Sequence, residues 1–422
     1  MNNNKKKFHW AWWILIGASI MVGLTRGGLN SSGGLFLSPI TNDLGISMGS
    51  LTIYFSIAAI VTMVFLPIAG KLMAKYNLRA LLIVAAVLQA GSFAMFGFMD
   101  SVWGWYLFSI PMAIGAVFMT QMAGPVLINN WFKKNKGLMI GIMMAVSGGL
   151  GAVLQPIIGS LIVNQGWRNT YFIIGLGVLV IIIPVIFFTL RLSPKEKGLQ
   201  PYGADEVTNE EQENKAPALE TGVTLKAARK SSAFFALIVF FFFITAIGCI
   251  AQHIPTYATE ELGYSGTFAG NAMAGWMFGA LVGALAFGFL TDKIGAKNTG
   301  IFAMILGLVP VVMLITSASN PTIFSIAMVI FGFVVASIGT LGPLLTSALF
   351  GNKEYSQIYA NIALGLAVAS VVALPAYGYV FDAFHSYNPV LYAIAVMLVI
   401  NIVLLIVAFN GKKKLEKAGE WN

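Results

Sequence analysis

The chain has 422 residues, of which 58% are hydrophobic and only 10% are charged. A soluble domain carries about 25% charged residues, so this composition describes an integral membrane protein with no soluble catalytic body left over. The single cysteine, Cys249, excludes an internal disulfide and a cysteine metal cluster, and the net charge of +9 has to be explained by where the charges fall.

Apolar runs bounded by charge, Gly/Pro and Asn/Asp predict twelve transmembrane helices. In the first half they cover 10–37, 47–73, 79–99, 102–128, 137–163 and 169–190. In the second half they cover 232–257, 265–290, 298–317, 321–347, 356–381 and 388–409. The expected fold is an all-α membrane protein.

The first run is long enough to cross a bilayer, since about 20 residues at ~1.5 Å each span ~30 Å. A basic start before an apolar run is also the pattern of a signal peptide. This run is too long for that, contains Arg26 and ends at Ser38-Pro39 without a small-residue cleavage site, so it reads as a retained helix. Arg26 lies 13 residues beyond Trp13 and 13 before Pro39, near the midplane, and is the one formally charged residue away from the ends of any span, Lys71 and Arg79 falling at span ends. A central arginine costs at least ~2.5–3.5 kcal/mol on insertion scales, so it must face a polar interior. Ser19, Arg26 and Asn30 share a helical face, with Gly23 and Gly27 beside it. A guanidinium fork holds a carboxylate bidentately. The competing role is a permanent tie to backbone carbonyls or amide dipoles.

Further along, the fourth span carries Gln121 one turn before Gly124-Pro125, a break that frees backbone carbonyls. The seventh carries Thr245, Cys249, Gln252, His253 and Thr256 on a broad polar face. No Asp or Glu lies within a span, so His253 is the one histidine placed to carry a proton. Its alternative is a histidine bonded to its neighbours near the outer mouth, since Pro255 follows closely. On the eighth span, Gly275, Gly279 and Gly283 form a small-residue packing seam. Asn271 on the same span, and Tyr359 and Asn361 on the eleventh, suit either a substrate or interhelical hydrogen bonds.

With the N-terminus placed in the cytoplasm, 23 of 25 Lys and Arg fall on inner segments, Arg168 falls outside and Arg26 within the membrane. This follows the positive-inside rule, with both termini cytoplasmic in the cell membrane. The outer loops carry Asp43, Asp100, Glu260, Glu261 and Asp382 instead. The basic balance is therefore an orientation signal facing anionic lipid, not a nucleic-acid patch. Residues 191–231 interrupt the hydropathy pattern with an acidic, polar run from Asp205 to Glu220, the composition of a cytoplasmic linker. A tether and a regulatory docking segment both fit it.

The two halves match at an offset of 218 residues. Asp43-Leu44-Gly45 recurs as Glu261-Leu262-Gly263, Gly124-Pro125 as Gly342-Pro343, and Trp131-Phe132 as Leu349-Phe350. Gly70 to Arg79 recurs as Gly288-Phe-Leu-Thr-Asp292-Lys293-Ile-Gly295-Ala-Lys297. Two parallel six-helix bundles, 1–190 and 232–422, joined by a linker at 191–231, resemble the construction of major-facilitator transporters. The Gly288–Lys297 stretch resembles that superfamily's signature G-x-L-x-D-K/R-x-G-x-K/R. The resemblance implies a cytoplasmic gate latched by Asp292 and Lys293, with Arg79 in the first copy. That copy departs from the signature at Ala74, where the acid belongs, and at Asn77, where the second glycine belongs.

Within the superfamily, Trp131 to Gly141, continuing to Gly148-Gly149-Leu150-Gly151 and Pro156, is similar to the fifth helix of monocarboxylate and oxalate–formate porters. Gly166-Trp167-Arg168 and Trp10-Ala-Trp12 fit the same branch. The resemblance implies a substrate site near the midplane lined by helices 1, 4, 7 and 10, which adds Gln121 and Thr340 to the lining. Porters of that branch often carry an arginine on the eighth helix four residues before the signature; here that residue is Ala284, and the eleventh helix has no lysine. Arg26 is then the one cation available for an anion.

The expected function is secondary transport of a small organic anion, a mono- or dicarboxylate, by a monomer working as an antiporter or a proton-coupled symporter. Export of amphipathic or drug-like compounds, and a transport-dead sensor signalling through the linker, are the alternatives. No Walker sequence, metal-ligand cluster or nucleophile triad occurs, so no cofactor and no enzymatic activity are expected.

Overall fold

A computed structural model describes residues 9–204 and 221–421; the acidic run of the linker and the lysines at 5–7 lie outside the described residues. Among the described residues, ten apolar helices are long enough to cross a membrane. Two of them are each broken at one glycine with positive φ, Gly166 (φ 77°, ψ 161°) and Gly295 (φ 79°, ψ 157°), which yields the twelve expected spans. They are α1 (Trp10–Leu44), α2 (Met48–Met73), α3 (Leu78–Phe98) and α4 (Val102–Trp131). Lys136–Phe188 forms α5 and α6 on either side of Gly166; α7 is Ser232–Gln252. Gly266–Ser317 forms α8 and α9 on either side of Gly295; α10 is Pro321–Phe350, α11 Tyr355–Phe384 and α12 Asn388–Lys417. Side chains such as Val180 (72% exposed) and Leu285 (73%) face outward, where hydrocarbon is the only good solvent for them.

Gly295 explains the departure at Asn77. A positive φ suits glycine, and Gly295 uses it to turn from α8 into α9. Asn77 instead keeps an ordinary φ of −61° and caps α3, its side chain accepting from the backbone N–H of Arg79 and Ala80 at 3.0 and 3.3 Å. The two copies of the loop reach the next helix by different local chemistry.

The helices pack as two compact units. The first contains Met1–Ser32, Val61–Leu154 and Gln165–Ala218. Within it Arg168, the one basic residue on an expected outer loop, closes the end of α3. Its guanidinium donates to the carbonyls of Gly97 and Met99 at 3.3 and 3.2 Å and pairs with Asp100 at 2.6 Å. A cation at a helix C-terminus satisfies carbonyls that have no intrahelical partner. At the other end, the Trp131 indole donates to Arg191 O at 2.7 Å, and Tyr202 exchanges backbone bonds with Trp131 and Lys133 at 2.8 and 2.9 Å.

The second unit contains Gly33–Ile60, Gln155–Asn164 and Leu219–Asn422. Its α8–α10 contact is the expected glycine seam. A Cβ on Gly279 would collide with Val329 O, and one on Gly283 with Phe333 O. The far end of the linker is anchored here. Val223 N–H donates to Phe350 O at 2.9 Å, Asn352 N–H to Thr221 O at 2.8 Å, and Leu225 N–H to the Glu354 carboxylate at 2.7 Å. The two anchors fall at Trp131–Lys133 and Phe350–Asn352, the ends of α4 and α10 that match in the internal repeat.

Candidate functional site

Arg26 sits in a π-helical turn, Gly23–Asn30, set into α1. Such turns widen the helix by one residue and are frequent at functional sites. The Arg26 carbonyl accepts both the Ser31 backbone N–H and the Ser31 hydroxyl at 3.0 Å, the i→i−5 pattern that closes the wider ring. Glycine makes the widening possible by close helix packing: a Cβ on Gly27 would lie 2.6 Å from Gly151 Cα and 2.8 Å from Gly151 N on α5.

The Arg26 side chain is exposed, and its Nη1 donates to Met144 Sδ at 3.5 Å. A thioether is a weak acceptor. Among the described residues Arg26 makes no ion pair. Most of the guanidinium's donor capacity is therefore unused among the described residues.

Two further π-helical turns, Val87–Gly91 in α3 and Val117–Met122 in α4, both touch the Arg26 turn. The α3 turn brings in a residue that the sequence reading missed. Gln89 is fully buried, and its Nε2 donates to Asn30 Oδ1 at 3.1 Å. Its own Oε1 is buried with no hydrogen-bond partner among the described residues. A glutamine inside an apolar span was the available signal, the same one that marked Gln121. Gln121 lies in the α4 turn and is exposed. Arg26 with Asn30, Gln89 and Gln121 thus stand on three adjoining turns of one unit.

The expected residues of the second unit are differently employed. Gln252 Oε1 accepts the backbone N–H of Gly34 at 2.8 Å. Gly34 lies in the first turn of the helix Gly33–Leu44 that resumes α1, where N–H groups have no intrahelical partner. His253 is fully buried. Its Nε2 is 2.9 Å from Leu374 O and its Nδ1 is 2.9 Å from the Tyr387 hydroxyl. A carbonyl can only accept, so Nε2 carries the proton and Nδ1 accepts from Tyr387; both ring nitrogens are occupied. Asn361 accepts from Arg229 of the short helix Leu225–Lys230 at 2.7 Å and donates to Gln357 O at 2.7 Å. Tyr359 stacks on Tyr355 at 5.7 Å, its hydroxyl 3.7 Å from where a Gly342 Cβ would stand. Thr340 is half-buried with its hydroxyl on Ala336 O at 3.3 Å, and Asn271 is exposed on α8.

Of the expected gating residues, Arg79 pairs with Glu196 of the linker at 3.6 Å. Asp292 is exposed and makes no ion pair among the described residues, and Lys293 lies over the Phe289 ring at 4.4 Å. Elsewhere in the second unit, acids expected on outer loops act as acceptors. Asp382 Oδ1 and Oδ2 accept the N–H groups of Met48 and Gly49, each at 2.8 Å. Glu260 accepts from the Ser38 hydroxyl and from Asn42 Nδ2, the latter at 2.9 Å.

The Major Facilitator Superfamily sequence model matches residues 15–270 and 254–420. The chain is 24% identical over 370 residues to the oxalate:formate antiporter of Oxalobacter formigenes, covering 85% of this chain and 82% of that protein. It is 23% identical over 434 residues to monocarboxylate transporter 12 of Mus musculus, covering 94% and 85%. Its structure is similar to that of a bacterial homologue of the human lysosomal transporter Spinster, with a TM-score of 0.71, 15% identity and coverage of 98% and 99%.

Proposed function

Because this chain belongs to the Major Facilitator Superfamily, whose matched relatives are transporters, we propose that it carries a small organic anion, a mono- or dicarboxylate, across the cell membrane by alternating access. The observation that carries the reading is Arg26: an exposed guanidinium near the middle of α1, held by one thioether and by no acid among the described residues. A cation left in that position is costly, and a bound carboxylate neutralises it. Asn30 on the same turn and Gln121 on an adjoining one supply amide groups.

The same electrostatics favour exchange. Without an anion the site moves as a bare charge through a low-dielectric region, whereas the loaded site is neutral. Within the spans no carboxylate is available to carry a coupling proton, and His253 has both nitrogens engaged. Antiport of one anion against another is therefore the coupling we infer. The lysine-rich ends are assigned to the cytoplasm, and Glu260 and Asp382 to the external face. Opening that face would break the bonds these two acids make to the end of α1 and the start of α2.

The test is counterflow of labelled carboxylates in liposomes containing the purified protein, comparing wild type, Arg26→Ala and Arg26→Lys. Loss in Arg26→Ala with partial activity in Arg26→Lys is expected, since lysine keeps the charge and loses the fork. Equal counterflow in all three overturns the reading.

A further inference from the structure

The π-helical turn places Arg26 against α5, and the two faces of α5 near it differ. Val146 and Val153 are 39% and 62% exposed, and we assign their side to lipid. Gly149 lies three residues after Val146 and four before Val153, so it belongs to that side. Met144 and Gly148, four residues apart, share the other face, and Met144 is the residue whose sulfur touches Arg26. Ser147 and Gly151 lie on the flank of that face that packs on α1, with Gly27 between them. A Cβ built on Gly148 meets no atom within 4 Å, whereas one on Gly27 meets backbone at once. Gly27 is a packing glycine. Gly148 is not: nothing in the fold requires the missing side chain.

We propose that Met144 and Gly148 form the wall of α5 that decides which anion Arg26 accepts. This rests on the anion-carrier reading and assigns its specificity. The Met144 sulfur holds one Arg26 donor with a weak, polarisable acceptor on a flexible stem, and a carboxylate oxygen displaces it without leaving a strong bond behind. The space beside Gly148 then receives the organic part of the anion. A side chain at 148 fills that space and discriminates by size, while a carboxylate at 144 occupies the guanidinium from within.

The experiment measures thermal stabilisation of the purified protein by a panel running from acetate to benzoate and short dicarboxylates, for wild type, Gly148→Val, Met144→Glu and Arg26→Gln. Native-state ligands raise apparent stability as the logarithm of concentration over Kd, so the shifts measured across a concentration series give relative affinities. In Gly148→Val the ratio of the affinity for the bulkiest bound anion to that for the smallest should fall at least ~10-fold, the scale of discrimination a filled apolar space provides. Met144→Glu should lose stabilisation by every anion while its own melting temperature holds or rises, because it gains an internal ion pair. An unchanged ratio in Gly148→Val, or undiminished binding in Met144→Glu, overturns the assignment. Failure of the anion reading itself looks different: no anion stabilises the wild type, or Arg26→Gln binds as the wild type does.

Discussion

The Asp382 carboxylate spans the backbone N–H groups of Met48 and Gly49, one oxygen to each at 2.8 Å. Asp382 follows from the second copy of the repeat and Gly49 from the first, so this acid joins α11 to the start of α2. The joint is close because it lacks side chains: a Cβ on Gly378 would stand 2.8 Å from Gly49 Cα. The first N–H groups of a helix have no partner within it and carry the positive end of its dipole, which is why a carboxylate suits the position.

Asp382→Asn retains one acceptor and places an amide N–H₂ against a backbone donor. A charge-assisted bond is worth about 1.5–3 kcal/mol, so the variant should melt several degrees lower than wild type. Thermal unfolding of the detergent-solubilised protein checks this, with Asp382→Glu as the charge-preserving control.

Gly27→Val forces a branched side chain against Gly151 backbone that cannot yield. Overpacking of this kind costs about 1–3 kcal/mol. The expected result is reduced yield of folded protein and a lower melting temperature, which size-exclusion profiles and thermal unfolding would register. Gly141→Ala is the comparison, since a Cβ there meets nothing within 4 Å.

Gln89→Leu removes the bond that orients the Asn30 amide and also removes a buried oxygen without a partner. These effects oppose each other in stability, so the melting temperature should move little. Anion affinity should weaken by a few-fold, corresponding to one hydrogen bond of about 0.5–1.5 kcal/mol. Separate measurement of melting and of ligand stabilisation distinguishes the two.

His253→Phe leaves the Tyr387 hydroxyl and the Leu374 carbonyl without their shared partner. Each buried polar group left unpaired costs about 1–3 kcal/mol, so a clear loss of stability is expected. The pH dependence of counterflow in the surviving folded fraction should match that of wild type. A flattened pH profile would restore His253 as a proton carrier.

Gln89 and Gln252 show where the reading of the chain stopped. Both are glutamines in apolar spans. Gln252 was marked by its place on a polar helical face, yet the acceptor it presents is spent on Gly34, on a helix 218 residues away in sequence. Gln89 has only Ser92, three residues on, beside it in the span, too little to mark a broad polar face. Its partner is Asn30, 59 residues earlier. His253 and Asn361 repeat the lesson: their types and positions were legible, their partners Tyr387 and Arg229 were not.

The twelve spans, the family resemblance and the mid-helix position of Arg26 could be read from residue order alone, because hydropathy, charge placement and a fixed repeat offset add up locally along the chain. Which polar groups remain available for a ligand depends on which helix faces meet. The π-helical turns depend on it too, since the widening at Gly23–Asn30 accompanies the backbone approach of Gly27 to Gly151. Distant packing therefore left Arg26 open beside a weak thioether and engaged the Gln252 and Asn361 amides and the His253 imidazole elsewhere.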